Sequence, residues 1–122
     1  MRDHNAVRSV LIVDDHEAFR AAARALLEAD GFDVVGEAGD GATAIQAAAA
    51  LRPNIVLLDI QLPGADGFLV AEQLARIPDA PAVVLISSRD AATYGRRFVE
   101  TPARGFLTKS RLSGKALAAL VE

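Results

Sequence analysis

Runs of consecutive apolar residues alternate along this chain with stretches in which apolar positions return every three or four residues. Ser9–Val13 (SVLIV), Ile55–Asp59 (IVLLD) and Ala82–Ile86 (AVVLI) are apolar on both parities, the pattern of strands covered on two faces in a parallel sheet. Phe32–Ala38 (FDVVGEA) is more polar towards its end and suits an edge strand, and Gly105–Thr108 (GFLT) is a short last strand. Between them lie helical stretches. Over Glu17–Ala29, Phe19, Ala22, Ala23, Leu26 and Leu27 share one face, with Arg20, Arg24 and Glu28 on a solvated one and Gly31 in the place of a C-terminal cap. Asp40 is placed to cap a helix over Ala42–Leu51, and Asp66-Gly67 opens another over Phe68–Ile77. Ser113 caps a final helix over Gly114–Val121. Arg89–Glu100 is read as one weak helix, because Thr93 and Gly95 lower its propensity, the glycine by about 1 kcal/mol relative to alanine.

Five strand–helix alternations, with connections too long for hairpins, predict an α/β fold: a doubly wound parallel sheet with helices on both faces and right-handed crossovers. In such sheets ligands bind beyond the carboxyl ends of the strands. The chain of 122 residues is long enough for one domain with its own core, read here as 9–122 after a flexible lead-in at 1–8. Hydrophobic residues make up 52% and aromatic ones 5%, so that core is aliphatic. A net charge of −3 argues against direct nucleic-acid contact by this domain, and the lack of cysteine excludes disulfides and thiolate metal sites. No stretch approaches the roughly 18 apolar residues of a membrane span, and no leader pattern precedes the first strand, so the expected location is cytoplasmic.

The strand ends carry the chemistry. They read VLIV-Asp14-Asp15, IVLL-Asp59, VVLI-Ser87-Ser88 and GFLT-Lys109. In a parallel sheet these residues meet on one rim. Three neighbouring carboxylates repel one another unless a cation joins them, and hard oxygen ligands favour Mg²⁺. Lys109 adds an ammonium and Ser87 a hydroxyl, both suited to the oxygens of an anion. A cation, an ammonium, a hydroxyl and a carboxylate nucleophile together match phosphoryl transfer onto an aspartate.

These pieces, VDDH at 13–16, LLDIQLPGADG at 57–67, VLISS at 84–88 and GFLTK at 105–109, resemble in order and spacing the receiver domain of two-component response regulators. VDDHEAFR and GEAGDG further resemble receivers of LuxR-type regulators. The resemblance implies a flavodoxin-like sheet of order 2-1-3-4-5 and Asp59 as phosphoacceptor. It implies Mg²⁺ held by Asp14, Asp15, Asp59 and the backbone carbonyl of Gln61, with Lys109 paired to a phosphoryl oxygen. Ser87 and Phe106 would form the switch, Ser87 bonding the arriving group and Phe106 turning inward behind it. The implied partner is a sensor histidine kinase. The switched face, around the fourth helix, fifth strand and fifth helix, would control a DNA-binding output outside this chain, with a homodimer left open. Such a domain is a phosphoryl acceptor with slow self-dephosphorylation, not an enzyme.

Some residues have plainer readings. Taken alone, Asp15 is as well placed to cap the first helix as to bind a metal. His16 is expected as a solvated loop residue, Asp40 and Asp66 as caps, and Arg96-Arg97 as a solvated helix face. Three departures from the family pattern fall together. Ser110 follows Lys109 where many members carry a cis proline; a cis Lys–Ser bond would cost about 3–4 kcal/mol, so trans is expected. Pro102 stands where a glycine usually ends the fourth helix, and Phe106 lacks the tyrosine hydroxyl common at its position. This irregular side motivates an alternative, an atypical receiver acting as a phosphorylation-independent interaction module. A hydrolase of the aspartyl-phosphate type is disfavoured, because Gln61 occupies the place of its general acid.

Overall fold

The computed structural model of the protein describes residues 7–122, so most of the lead-in read at 1–8 lies outside the described residues. Five strands, β1 (Ser9–Val13), β2 (Asp33–Ala38), β3 (Ile55–Asp59), β4 (Ala82–Ser87) and β5 (Gly105–Thr108), form one parallel sheet of order β2-β1-β3-β4-β5. The order reverses beside β1, so a crevice opens at the carboxyl ends of β1 and β3. Helices α1 (Glu17–Ala29), α2 (Gly41–Leu51), α3 (Gly67–Leu74) and α4 (Arg97–Glu100) lie on the four crossovers, and α5 (Gly114–Val121) follows the last strand.

Side chains of successive strand residues leave opposite faces of the sheet, and the core divides accordingly. Val10, Ile12, Ile55, Leu57, Val84 and Ile86 pack with Ala23 and Leu27 of α1 and Leu117 of α5. Leu11, Val13, Val56, Leu58, Val83 and Leu85 pack with Ala44 and Ala48 of α2 and with Phe68, Ala71 and Leu74 of α3. The buried stripe of α1 is narrower than its periodicity suggests: Phe19, Ala23 and Leu27 face inward, whereas Ala22 and Leu26 are exposed.

The caps follow the expected chemistry. Asp40 Oδ1 accepts from Thr43 N at 2.8 Å, Asp66 Oδ1 from Phe68 N at 2.9 Å and Ser113 Oγ from Ala116 N at 3.0 Å. Gly31 takes φ +94° just beyond α1, a conformation that a side chain would oppose. Helix α3 ends at Leu74, three residues before the expected Ile77, and its last turn tightens ahead of Pro78.

The segment 89–104 corrects the reading of one helix. It holds a single 3₁₀ turn at Ala91–Thr93 and then the short α4. Gly95 between them has φ +55°, which interrupts the helical hydrogen-bond ladder, and Thr101 before Pro102 is extended. Rings rather than a helix ladder hold this segment. Tyr94 and Phe98 pack with Phe68 of α3 and Phe106 of β5 at centroid separations of 4.9–6.3 Å. Lys109–Ser110 is trans. Among the described residues, no helix is long and apolar enough to cross a membrane.

Candidate functional site

Each acidic side chain is carried to the rim by a fully apolar strand that ends there. Asp14 follows β1, its N–H bonded to Ala38 O at 3.0 Å, and its side chain is fully buried. Asp59 ends β3 at 3% exposure. Beyond it the chain turns tightly: Ile60 N donates to Ile86 O at 2.9 Å and Gly67 N to Ile60 O at 2.8 Å. A two-residue antiparallel pair, Gln61–Leu62 with Ala65–Asp66, closes that loop, with Gly64 at φ +64° in its turn. Gly67 has no room for a side chain. A Cβ there would stand 2.5 Å from Ile60 Cα and 2.6 Å from the Asp59 carbonyl oxygen.

Lys109 reaches in from the end of β5. Its Nζ lies 2.5 Å from Asp14 Oδ2 and 3.3 Å from Asp59 Oδ2, and 4.6 Å from the centroid of the Phe19 ring on α1. Asp59 Oδ1 accepts from Gln61 N at 3.0 Å, and Asp14 Oδ1 from His16 N at 2.8 Å. Donor atoms of Asp14, Asp15, His16 and Asp59 all lie within 4.8 Å of one another. Asp14, Asp15, Asp59 and Lys109 thus converge as the strand ends predicted. Gln61 adjoins them through its N–H. Ser87, fully buried at the end of β4, turns elsewhere: its Oγ accepts from Arg89 N at 3.0 Å and pairs with the Tyr94 hydroxyl at 2.6 Å. Phe106 packs in the aromatic group, against Tyr94 and Phe98.

Burial and charge pull the two central carboxyls apart. Burial would raise Asp14, but the Lys109 ammonium and the His16 N–H outweigh it and hold the group below its ordinary value. Asp59 moves the other way. Burial pushes it up, with the Asp14 charge adding to the rise, and the Gln61 N–H and Lys109 recover only part. Burial disfavours the Lys109 ammonium too, yet its two carboxylate neighbours raise its pKa and keep it charged.

The donor set fits a hard divalent cation. Asp14 Oδ2 is buried and accepts no well-directed hydrogen bond despite the nearby ammonium, so an oxygen of the acidic cluster keeps unused lone pairs. Carboxylate oxygens of Asp14, Asp15 and Asp59 are the ligand chemistry that Mg²⁺ takes.

Several contacts here had no signal in the sequence, and others correct it. Arg20, assigned to a solvated face of α1, donates from Nη1 to the Asp14 carbonyl at 2.6 Å and from Nε to Glu37 at 3.0 Å. Arg24 Nε holds the other oxygen of Glu37 at 2.8 Å. His16 is exposed as expected, but its Nδ1 stands 3.0 Å from Asp14 and 3.1 Å from Asp15. Asp15 does not cap α1; His16 occupies that position without a side-chain bond. Arg97, read as solvated, pairs with Asp66 and lies 4.2 Å over the Phe68 ring. The opposed charges of Arg20, Arg24 and Glu37 are visible in the sequence; their meeting across α1 and β2 is not.

A doubly wound parallel sheet of this order, with an acidic cluster at its carboxyl edge, is a flavodoxin-like architecture. The chain belongs to the response regulator receiver domain family, whose model matches residues 10–121. It is 41% identical over 111 residues to a Pseudomonas aeruginosa protein described as a transcriptional regulator, covering 90% of this chain and 54% of that one. It is 30% identical over 112 residues to the DNA-binding transcriptional activator EvgA of Escherichia coli K12, covering 92% and 55%. The chain therefore spans about half the length of these relatives. A crystal structure of a two-component response regulator of the LuxR family from Aurantimonas superposes with a TM-score of 0.85 at 26% identity, over 95% of this chain and 86% of that one.

Proposed function

We propose that Asp59 is the phosphoacceptor of this receiver domain and that residues 9–122 form the working unit. The reading rests on one observation above the others: a single ammonium, Lys109, spans the buried Asp14 and Asp59 carboxylates at 2.5 and 3.3 Å. This charge arrangement can exchange one anionic partner for another.

In the proposed reaction an Asp59 carboxylate oxygen attacks the phosphorus of a phosphohistidine on a sensor histidine kinase. The new P–O bond forms as the P–N bond breaks, and the electron pair leaves on the imidazole nitrogen, which takes up a proton. Mg²⁺, held by Asp14, Asp15, Asp59 and the Gln61 carbonyl, would offset the negative charge of carboxylates and phosphoryl group. Lys109 moves from the carboxylates to a phosphoryl oxygen, and the Gln61 N–H fixes the orientation of the Asp59 carboxylate. Ser87 and Phe106 carry the change to the face of α4, β5 and α5. The domain works as a switch with slow self-dephosphorylation, in the cytoplasm, and governs a DNA-binding output beyond this chain, alone or as a homodimer. The DNA-binding description of EvgA supports that output.

The test is labelling by acetyl phosphate. The parent protein should take up one phosphoryl group in a Mg²⁺-dependent manner, and Asp59→Asn should take up none. Equal labelling of the two proteins would overturn the assignment.

A further inference from the structure

The resemblance gives the switch a serine and a phenylalanine, and the phenylalanine has no hydroxyl to offer. A hydroxyl is nevertheless present. Tyr94, on the irregular segment after β4, places its phenolic oxygen 2.6 Å from Ser87 Oγ. A serine hydroxyl has one proton to donate and two sites to accept. Arg89 N–H fills one of those sites at 3.0 Å, and Tyr94 engages the oxygen again. Both partners lie on the segment that follows β4. Ser87 therefore enters the resting state committed to that segment and away from Asp59.

The tyrosine itself is not free to follow. Its ring meets Phe68, Phe98 and Phe106 at 5.9, 5.8 and 6.3 Å, so the phenolic oxygen sits at the tip of a ring held on three sides. Turning Ser87 to another staggered position displaces its Oγ by roughly 2 Å, more than the bond can stretch. We infer that Tyr94 is a latch: its hydroxyl holds Ser87 in the unphosphorylated arrangement, and Ser87 must leave it to reach a phosphoryl group on Asp59. Breaking that bond removes the polar tie of the aromatic group to β4 and leaves Tyr94, with Phe98 and Phe106, to shift together with α4 and β5. Tyr94 is thus a positioning residue that couples the acceptor to the signalling face.

The inference rests on Asp59 as acceptor, and its test separates the two ideas. Beryllofluoride with Mg²⁺ stands in for the phosphoryl group, and its binding is followed by amide chemical shifts. The parent protein should respond only when Mg²⁺ is present; no response would sink the acceptor assignment itself. Tyr94→Phe removes the bond that binding must break, so the beryllofluoride midpoint should fall about fivefold, the worth of one ordinary neutral hydrogen bond. An unchanged or higher midpoint overturns the latch and leaves the acceptor standing. In a Ser87→Ala background the same tyrosine substitution should change the midpoint less than about twofold, and a persisting effect would also refute the inference. Tyr94 is the chain's single tyrosine, with no tryptophan beside it, so its absorption band reports this one hydroxyl. That band should shift on beryllofluoride binding in the parent and stay still in Ser87→Ala. A shift of equal size in both would count against the latch.

Discussion

Replacing Lys109 by methionine tests the charge balance of the site most directly. The substitution keeps an unbranched apolar stem one atom shorter, but the ammonium that lies between Asp14 and Asp59 and over the Phe19 ring is gone. At an effective dielectric constant of ~20, charges at the observed 2.5 and 3.3 Å attract by about 7 and about 5 kcal/mol, before the desolvation that offsets most of it. Removing one partner from a buried ionic group typically costs about 3–5 kcal/mol, because the remaining charge is left uncompensated. The protein can limit that loss by protonating one carboxyl. Holding a group of ordinary pKa ~3.9 protonated at pH 7 costs about 4 kcal/mol, and at pH 5 only about 1.5.

The expected deficit of Lys109→Met is therefore about 3–4 kcal/mol at pH 7, roughly a 12–16 °C fall in melting temperature. It should shrink to about 1.5 kcal/mol or less at pH 5. The sign follows from the direction of each shift. A carboxyl held below its ordinary value, as Asp14 is in the parent, adds stability above that value and loses it as pH falls through the depressed pKa. A carboxyl held above it, as Asp59 already is in the parent and would be further once Lys109 no longer lowers it, is favoured in its protonated form, so stability is full at low pH and falls as pH rises through the raised pKa. Parent and variant curves must therefore converge on acidification. Added Mg²⁺ should restore the variant at neutral pH by about 1.4 kcal/mol for each tenfold excess over its dissociation constant. Thermal and urea melts followed by far-ultraviolet circular dichroism measure all three. A variant as stable as the parent at pH 7, or a deficit that does not narrow towards pH 5, would refute the reasoning.

Two further substitutions probe what holds the acids in place. Gly67→Ala forces a methyl group against the Ile60 and Asp59 backbone at 2.5–2.6 Å and should cost about 3 kcal/mol in urea melts, with a parallel loss of acetyl phosphate labelling. Arg20→Ala deletes the bonds to the Asp14 carbonyl and Glu37, both charge-assisted, and should cost about 2 kcal/mol by the same measurement. Arg20→Lys should recover less than half of that, because one ammonium cannot serve both partners in the geometry of the guanidinium fork.

The strands, and with them the acidic rim, were legible because one physical cause sets both. A strand buried on two faces must be apolar on both parities, so Val10–Val13 and Ile55–Leu58 identify themselves, and the first carboxylate after each run marks where the sheet surfaces. Parallel pairing then puts Asp14, Asp59 and Lys109 on one edge with no further information. Nothing comparable reveals Arg20. Its two partners belong to the end of β1 and to β2, and a charged residue one step off the inner stripe of α1 reads equally well as solvated.

The segment 89–104 was illegible for a different reason, and that reason bears on what the segment does. Helix periodicity reports a face that packs against a sheet, whereas here order comes from rings contributed by α3, β5 and the segment itself. Gly95 and Pro102 keep a long helix from forming, so few backbone hydrogen bonds oppose a rearrangement. Stability is then concentrated in the aromatic contacts, the Arg97 contacts to Asp66 and Phe68, and the Tyr94–Ser87 bond. A segment held by a few side-chain contacts has a low threshold for change, and one of those contacts ends on the buried hydroxyl of Ser87 at the end of β4. Poor helix propensity and the bond to that hydroxyl therefore belong together: local instability makes the segment movable, and in the proposed latch it is Ser87 that would set when it moves.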